Sequence, residues 1–395
     1  MDFKTPLAVV VVYDRQLAAG LSVYEDLYHL LCRNANEPLI YGLDIPVYFQ
    51  TNQENGEIND VIKGINADKI VVLLLVDLFM FNSSDWTNYI DELVKEDKAG
   101  TVKVLPVALC EYAFNINHVL GQQQYIRLKN YDIRDCWQEF LIRFYDDLIR
   151  TICDSKEKLQ IFISHTKKDE DGLGVEKANE LKAYLRADTK LNSFYDANDI
   201  IDGYSFGDQI EEHVKKSLLV ILESSTYSDR EWCRIETIVG KENHVPTVVV
   251  SLFNGKIPRT FPYLGNTPKI RFEKNWDEVI CLLLRTALDK YYQERYLEKF
   301  KQAHGKIIPM MPEFINIGNV DGIEQILYPE PPLGNEELYV LKRHFPTINL
   351  STPSQIFSNS RFLDGKKVAI SISETPDSST IGIGKVMFDD PQIRN

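Results

Sequence analysis

The side chains whose types and spacing could do chemistry fall in three blocks of the 395-residue chain. Ile161-Phe162-Ile163-Ser164 reads as a strand and ends in the polar run His165-Thr166-Lys167-Lys168-Asp169. Polar groups at the carboxyl edge of a parallel strand stand where open α/β sheets bind ligands. The second block, Phe194 to Gly203, carries Asp196, Asp199 and Asp202 in a loop that runs toward a helix. The third is Asp229-Arg230-Glu231-Trp232-Cys233-Arg234-Ile235-Glu236. On a helix advancing about 100° per residue, Trp232 and Glu236 lie about 40° apart, so a flat ring and a carboxylate share one face with Cys233 beside them. Each residue also has a plainer reading: Glu236 as a solvated helix carboxylate, Trp232 as core, His165 as a loop cap and Cys233 as packing. Aspartates at i, i+3 and i+6 in a loop do not have calcium spacing, so no metal is expected there.

Taken together, the blocks resemble those of the bacterial form of the Toll/interleukin-1 receptor (TIR) domain. The matches are the strand end Phe162-Ile163-Ser164-His165, the D-x-x-D-x-x-G pattern of the loop from Asp196 or Asp199 to Gly203, and the W-C-x-x-E pattern from Trp232 to Glu236, within residues 158 to 290. The resemblance implies a flavodoxin-like fold and, where the helix glutamate is present, cleavage of NAD+ at its nicotinamide bond. It gives Glu236 the catalytic position and puts Ser164, His165, Asp199, Trp232 and Cys233 along the pocket for NAD+, which is substrate and not cofactor.

One carboxylate is enough for that reaction. Glycosidases ordinarily need two, because the departing alkoxide must be protonated. Nicotinamide leaves a cationic ring as a neutral molecule, so no general acid is required. Glu236 would then stabilise the oxocarbenium-like sugar as positive charge develops, while Trp232 supplies a wall for a ring system.

These blocks must be positioned by alternating strands and helices. In the first 155 residues Val9 to Tyr13, Pro46 to Phe49, Ile70 to Val76 and Val102 to Leu109 read as strands, with helices at Leu21 to Arg33, Glu57 to Ile65 and Trp86 to Lys95. The runs are almost wholly apolar, as in parallel strands covered on both faces. The pattern then restarts, with strands at Ile161 to Ser164, Ser193 to Tyr195, Leu218 to Glu223 and Thr247 to Leu252 between helices. The expected architecture is therefore two tandem flavodoxin-like, doubly wound α/β units, residues 1–155 and 156–300, closed by helices at Arg134 to Cys153 and Asn275 to Phe300. If Trp86 answers Trp232, the position four residues on is Ile90, and Glu92 lies roughly 120° away from Trp86 around the helix. The first copy reads as a degenerate TIR-like unit for assembly or regulation.

Beyond residue 300, Pro309, Pro312, Pro329, Pro331 and Pro332 suggest a stiff linker over 301–365. The segment 366–395, with Val368 to Ser373 followed by Gly382 and Gly384, looks like the opening strand and turn of a SLOG domain, a Rossmann-like unit that often senses nucleotide-derived ligands; otherwise it docks on the preceding domains.

Composition narrows the function classes. The net charge is −14, and residues 1–155 hold 13 basic against 23 acidic side chains, which disfavours nucleic acid. Six scattered cysteines without a CxxC pair argue against structural zinc or a disulfide framework. The apolar run Ile70 to Phe81 is interrupted by Asp77 and is too short to span a bilayer, so a soluble cytoplasmic protein is expected. Three functions fit: an NAD+ glycohydrolase switched on by self-association, as in antiphage defence; a cyclase of the same fold making a cyclic ADP-ribose messenger; or a non-enzymatic adaptor that only self-associates. Glu236 favours the first two.

Overall fold

The structure is a computed structural model and describes residues 4–32, 43, 45–58, 61–122, 124–169, 172–188, 191, 193–195, 212–253, 264–265, 267–304, 307–309, 325–327, 349–351, 368–371 and 385–388. It divides into two compact units, Met1–Asp135 with Tyr292–Asn395, and Cys136–Tyr291.

In the first unit β1 (Thr5–Val12), β2 (Val47–Gln50), β3 (Ala67–Val76), β4 (Lys103–Ala108) and β5 (Ile126–Arg127) form a parallel sheet in the order β2-β1-β3-β4-β5. In the second, β6 (Gln160–Ser164), β7 (Ser193–Tyr195), β8 (Leu218–Glu223), β9 (Thr247–Ser251) and β10 (Lys269–Arg271) form another, in the order β10-β9-β8-β6-β7. Numbered within each unit, both sheets run 2-1-3-4-5, the flavodoxin-like doubly wound order. The duplication is thus one of topology. Every residue of β1, β8 and β9 is buried, as strands with helices on both faces must be.

Helix boundaries follow local chemistry. The helix Ser84–Ala99 starts where the Ser83 hydroxyl accepts the Trp86 N–H at 3.4 Å and stops at Gly100, whose φ of 77° suits only a residue without Cβ strain. Gly240, in the helix Glu231–Glu242, lies so close to β8 that a Cβ would stand 2.9 Å from a Leu219 methyl.

Several expectations are corrected. Glu57 to Ile65 is not a helix among the described residues: the chain turns at Asn55-Gly56, with Gly56 at φ 89°, bridges Ile58 back to Asn52, and keeps only the 3-10 turn Ile62–Gly64. The edge strands β5 and β10, two and three residues long, are too short to show a period in the sequence. The helix Trp137–Ile152 lies in the second unit, where Cys281 Sγ donates to the Gln138 carbonyl at 3.6 Å and Asn275 Nδ2 to Gln138 Oε1 at 3.3 Å. The proline-rich stretch holds three short strands, β11 (Ile307–Pro309), β12 (Gln325–Leu327) and β13 (Asn349–Ser351), in a parallel sheet; Pro309 is tolerated because β11 is an edge strand. The tail, read as an opening strand and turn, contains an antiparallel pair, β14 (Val368–Ser371) with β15 (Lys385–Phe388). No helix among the described residues is long and apolar enough to cross a membrane.

Candidate functional site

The second unit brings the ends of β6 and β8 together with the helix Glu231–Glu242. In the 2-1-3-4-5 order this is where successive connections leave the sheet in opposite directions, the place where open α/β sheets bind ligands. Ser164 ends β6 and is 1% exposed. Its hydroxyl donates to Glu236 Oε2 in a short hydrogen bond and lies 2.6 Å from the Tyr227 hydroxyl. Tyr227, fully buried in the turn after β8, also reaches the Cys233 carbonyl and Thr237 Oγ1, each at 3.3 Å. Thr237 Oγ1 donates to the same Cys233 carbonyl at 2.8 Å.

This network sets the electrostatics. Glu236 is 5% exposed, and burial pushes its carboxyl up to about 7 against the opposing pull of the Ser164 donor and the Lys167 ammonium. Glu236 is therefore a buried carboxylate and not the solvated one of the plainer reading. At neutral pH it is poised between acid and carboxylate, able to take a proton or to stabilise a neighbouring cation. Burial, and then the Glu236 charge, push the Cys233 thiol up to about 12, so Cys233 is a packed thiol without nucleophilic thiolate. Its Sγ donates to the His165 carbonyl at 3.7 Å. His165 is half-buried, with its pKa lowered by burial and then by Lys167 and Lys182, so the imidazole is neutral. Trp232 opens the helix and is 45% exposed, a large ring left on the surface beside the buried face.

Of the expected site residues, Ser164, His165, Cys233 and Glu236 are joined by these contacts, and Trp232 adjoins them on the helix. Asp199 lies outside the described residues, as do Asp196, Asp202 and Gly203. Two contributors lie outside the expected site residues. Tyr227 sits in an undistinguished Ser-Ser-Thr-Tyr turn. Asp169 ties the loop together, with Oδ1 accepting from Ser224 Oγ at 2.8 Å and Thr226 Oγ1 at 2.6 Å and Oδ2 accepting from the Gly174 N–H at 3.0 Å. A polar triplet after an apolar strand could have signalled that pairing, but only against a known loop geometry. Among the described residues no three or more His, Cys, Asp or Glu are grouped to hold a metal ion.

The corresponding place in the first unit is built differently. Asp14, 2% exposed, accepts from Trp86 Nε1 at 2.7 Å, Asn52 Nδ2 at 3.0 Å and the Gln16 N–H at 2.8 Å. Trp86 is fully buried whereas Trp232 is not, so the two tryptophans are not equivalent. Buried positions match one residue later: Trp86, Ile90, Leu93 and Val94 on one helix correspond to Cys233, Thr237, Gly240 and Lys241 on the other, each 147 residues on. Glu236 then answers Tyr89 and Trp232 answers Asp85, so the first unit again has no carboxylate at the Glu236 position.

No family model and no curated protein matches the chain. Among solved structures it is similar to the C-terminal domain of glucosamine-fructose-6-phosphate aminotransferase from Francisella tularensis, at 10% identity over 75% of this chain and 85% of that one. The TM-score is 0.19, which carries no argument about fold or function.

Proposed function

We propose that the second unit is a TIR-like NAD+ glycohydrolase with Glu236 as its catalytic residue. The observation that carries this reading is a carboxylate buried at the sheet's carboxyl edge, held by Ser164 and titrating near neutrality, with Trp232 exposed one turn away. The carbon–nitrogen bond to nicotinamide breaks with its electron pair going to the neutral leaving group. The ionised Glu236 stabilises the sugar cation that remains, and water completes the hydrolysis. Self-association, by which neighbouring chains complete one another's sites, is the proposed trigger, and the first unit serves assembly.

The test is incubation with NAD+ and chromatography of the products, for the intact chain and for Glu236→Gln. Nicotinamide with ADP-ribose, lost in the variant, supports the hydrolase. Nicotinamide with a cyclised product would make the protein a cyclase of the same site. No nicotinamide release at any protein concentration would leave a non-enzymatic adaptor.

A further inference from the structure

Ser164 ends a strand at the sheet's ligand-binding edge, which by position alone suggests a ligand contact. Its surroundings argue otherwise. A hydroxyl has one proton and two lone pairs. The Ser164 proton goes to Glu236 Oε2, the Tyr227 hydroxyl stands 2.6 Å from Ser164 Oγ, and the side chain is 1% exposed. Tyr227 has one proton and three neighbours: Ser164 Oγ at 2.6 Å, and the Cys233 carbonyl and Thr237 Oγ1 at 3.3 Å. Because the single Ser164 proton is given to Glu236, the 2.6 Å contact between the two hydroxyls is made by the Tyr227 proton. The order of donation is Tyr227 to Ser164 to Glu236.

We propose that Ser164, backed by Tyr227, is a positioning residue for Glu236 and not a substrate contact: it occupies Oε2, orients the carboxylate, and leaves Oε1 to meet the substrate. The inference rests on the reading of Glu236 as the catalytic group. In hydrolysis the water oxygen bonds to the sugar carbon as the bond to nicotinamide breaks, and the proton lost from that water goes to Oε1 and then to solvent. NAD+ and water thus yield nicotinamide, ADP-ribose and one proton. Each link polarises the next, so the donor chain strengthens the ionised form of Glu236. Among the described residues, Lys167 from the loop after β6 favours the carboxylate, while the Tyr227 hydroxyl and the Cys233 thiol of its own helix, both pushed up by burial, are uncharged.

The decisive measurement is infrared titration of the intact chain, following the carboxylic-acid band that Glu236→Gln removes, alongside the pH profile of NAD+ turnover. Ser164→Ala deletes a hydrogen bond to a charged group and is expected to weaken Glu236 ionisation about tenfold, raising its midpoint by about one pH unit. Ser164→Thr, which keeps the hydroxyl, is expected to restore the midpoint. Tyr227→Phe keeps the ring and removes the polarising hydroxyl, so it should move the midpoint the same way by less; it carries the test if Ser164→Ala does not fold. An unmoved midpoint in these variants, folded by near-ultraviolet circular dichroism, overturns the role given to Ser164. Should the midpoint move while no variant and not even the parent chain turns over NAD+, the catalytic reading of Glu236 fails and the positioning of its carboxylate stands.

Discussion

Trp86 Nε1 donates to Asp14 Oδ2 at 2.7 Å, joining the end of β1 to the helix Ser84–Ala99 across 72 residues of sequence. In the second unit the helix position of Trp86 is held by Cys233, and the strand end meets the helix through Ser164 and Glu236. The two units share a topology and differ in what holds strand end to helix: an indole in one, a carboxylate in the other.

That difference makes Trp86 structural. Trp86→Phe removes a buried donor from a buried carboxylate and should destabilise the first unit by about 1–3 kcal/mol. Urea unfolding of the intact chain measures it. A loss below about 0.5 kcal/mol, which is the usual range of surface changes, would mean that Asp14 is satisfied by Asn52 and Gln16 alone.

Glu236→Gln should cut nicotinamide release on the order of 10²-fold or more. The parent activity should climb with pH through about 7, because the carboxylate is the active form. Stability moves the opposite way. The folded-state pKa of Glu236 is raised, so the folded protein holds this proton to higher pH than the unfolded chain, and stability falls as pH rises from about 4.5 to about 7. The fall is of order 3 kcal/mol for this group. Thermal denaturation across that window should show Glu236→Gln flattening it; equal slopes in both proteins would refute a buried, perturbed carboxylate.

Asp77 gives a second, separable pH effect. It caps the short helix Leu78–Phe81 through Oδ1, which accepts the Phe79 and Met80 N–H groups, while burial and then the Asp14 charge push it up to about 6 against those hydrogen bonds. Asp77→Asn keeps the acceptor and removes the charge. Stability at pH 8 should rise by about 1–3 kcal/mol, with little change near pH 3, where the acid is largely protonated in both states. A variant less stable than the parent at pH 8 would show that the charge stabilises the cap after all.

Glu92→Gln should leave NAD+ turnover unchanged. Glu92 is exposed and pairs with Lys95 at 2.6 Å, and an exposed pair of this kind contributes little to stability. Turnover damaged as severely as by Glu236→Gln would put chemistry in the first unit.

If neighbouring copies complete one another's sites, total NAD+ turnover should rise more steeply than linearly with protein concentration, so that turnover per chain increases. Specific activity over a hundredfold dilution series tests this. A constant value would mean that each chain carries a finished site, and the assembly role of the first unit would fall with it.

Much of the fold is legible in the sequence because its signals are local. The buried runs at Val9, Ile70, Leu218 and Thr247 announce parallel strands, since a strand covered on both faces has no polar positions to spare. The spacing of Trp232, Cys233 and Glu236 likewise places them together on a helix by periodicity alone. What sequence alone could not supply was set by backbone pairing and packing. Periodicity puts Glu57 to Ile65 on a helix, but the Asn55-Gly56 turn and the bridge from Ile58 to Asn52 take those residues elsewhere. Letter matching pairs Trp86 with Trp232, whereas burial pairs Trp86 with Cys233, because only packing against the sheet decides which helix face turns inward. The sequence determined that a carboxylate shares a helix face with a tryptophan in the second unit. Only the tertiary structure decided that it is buried and bonded to a serine 72 residues away, and so poised near neutrality, because desolvation and hydrogen bonding arise from groups that meet only when the chain has folded.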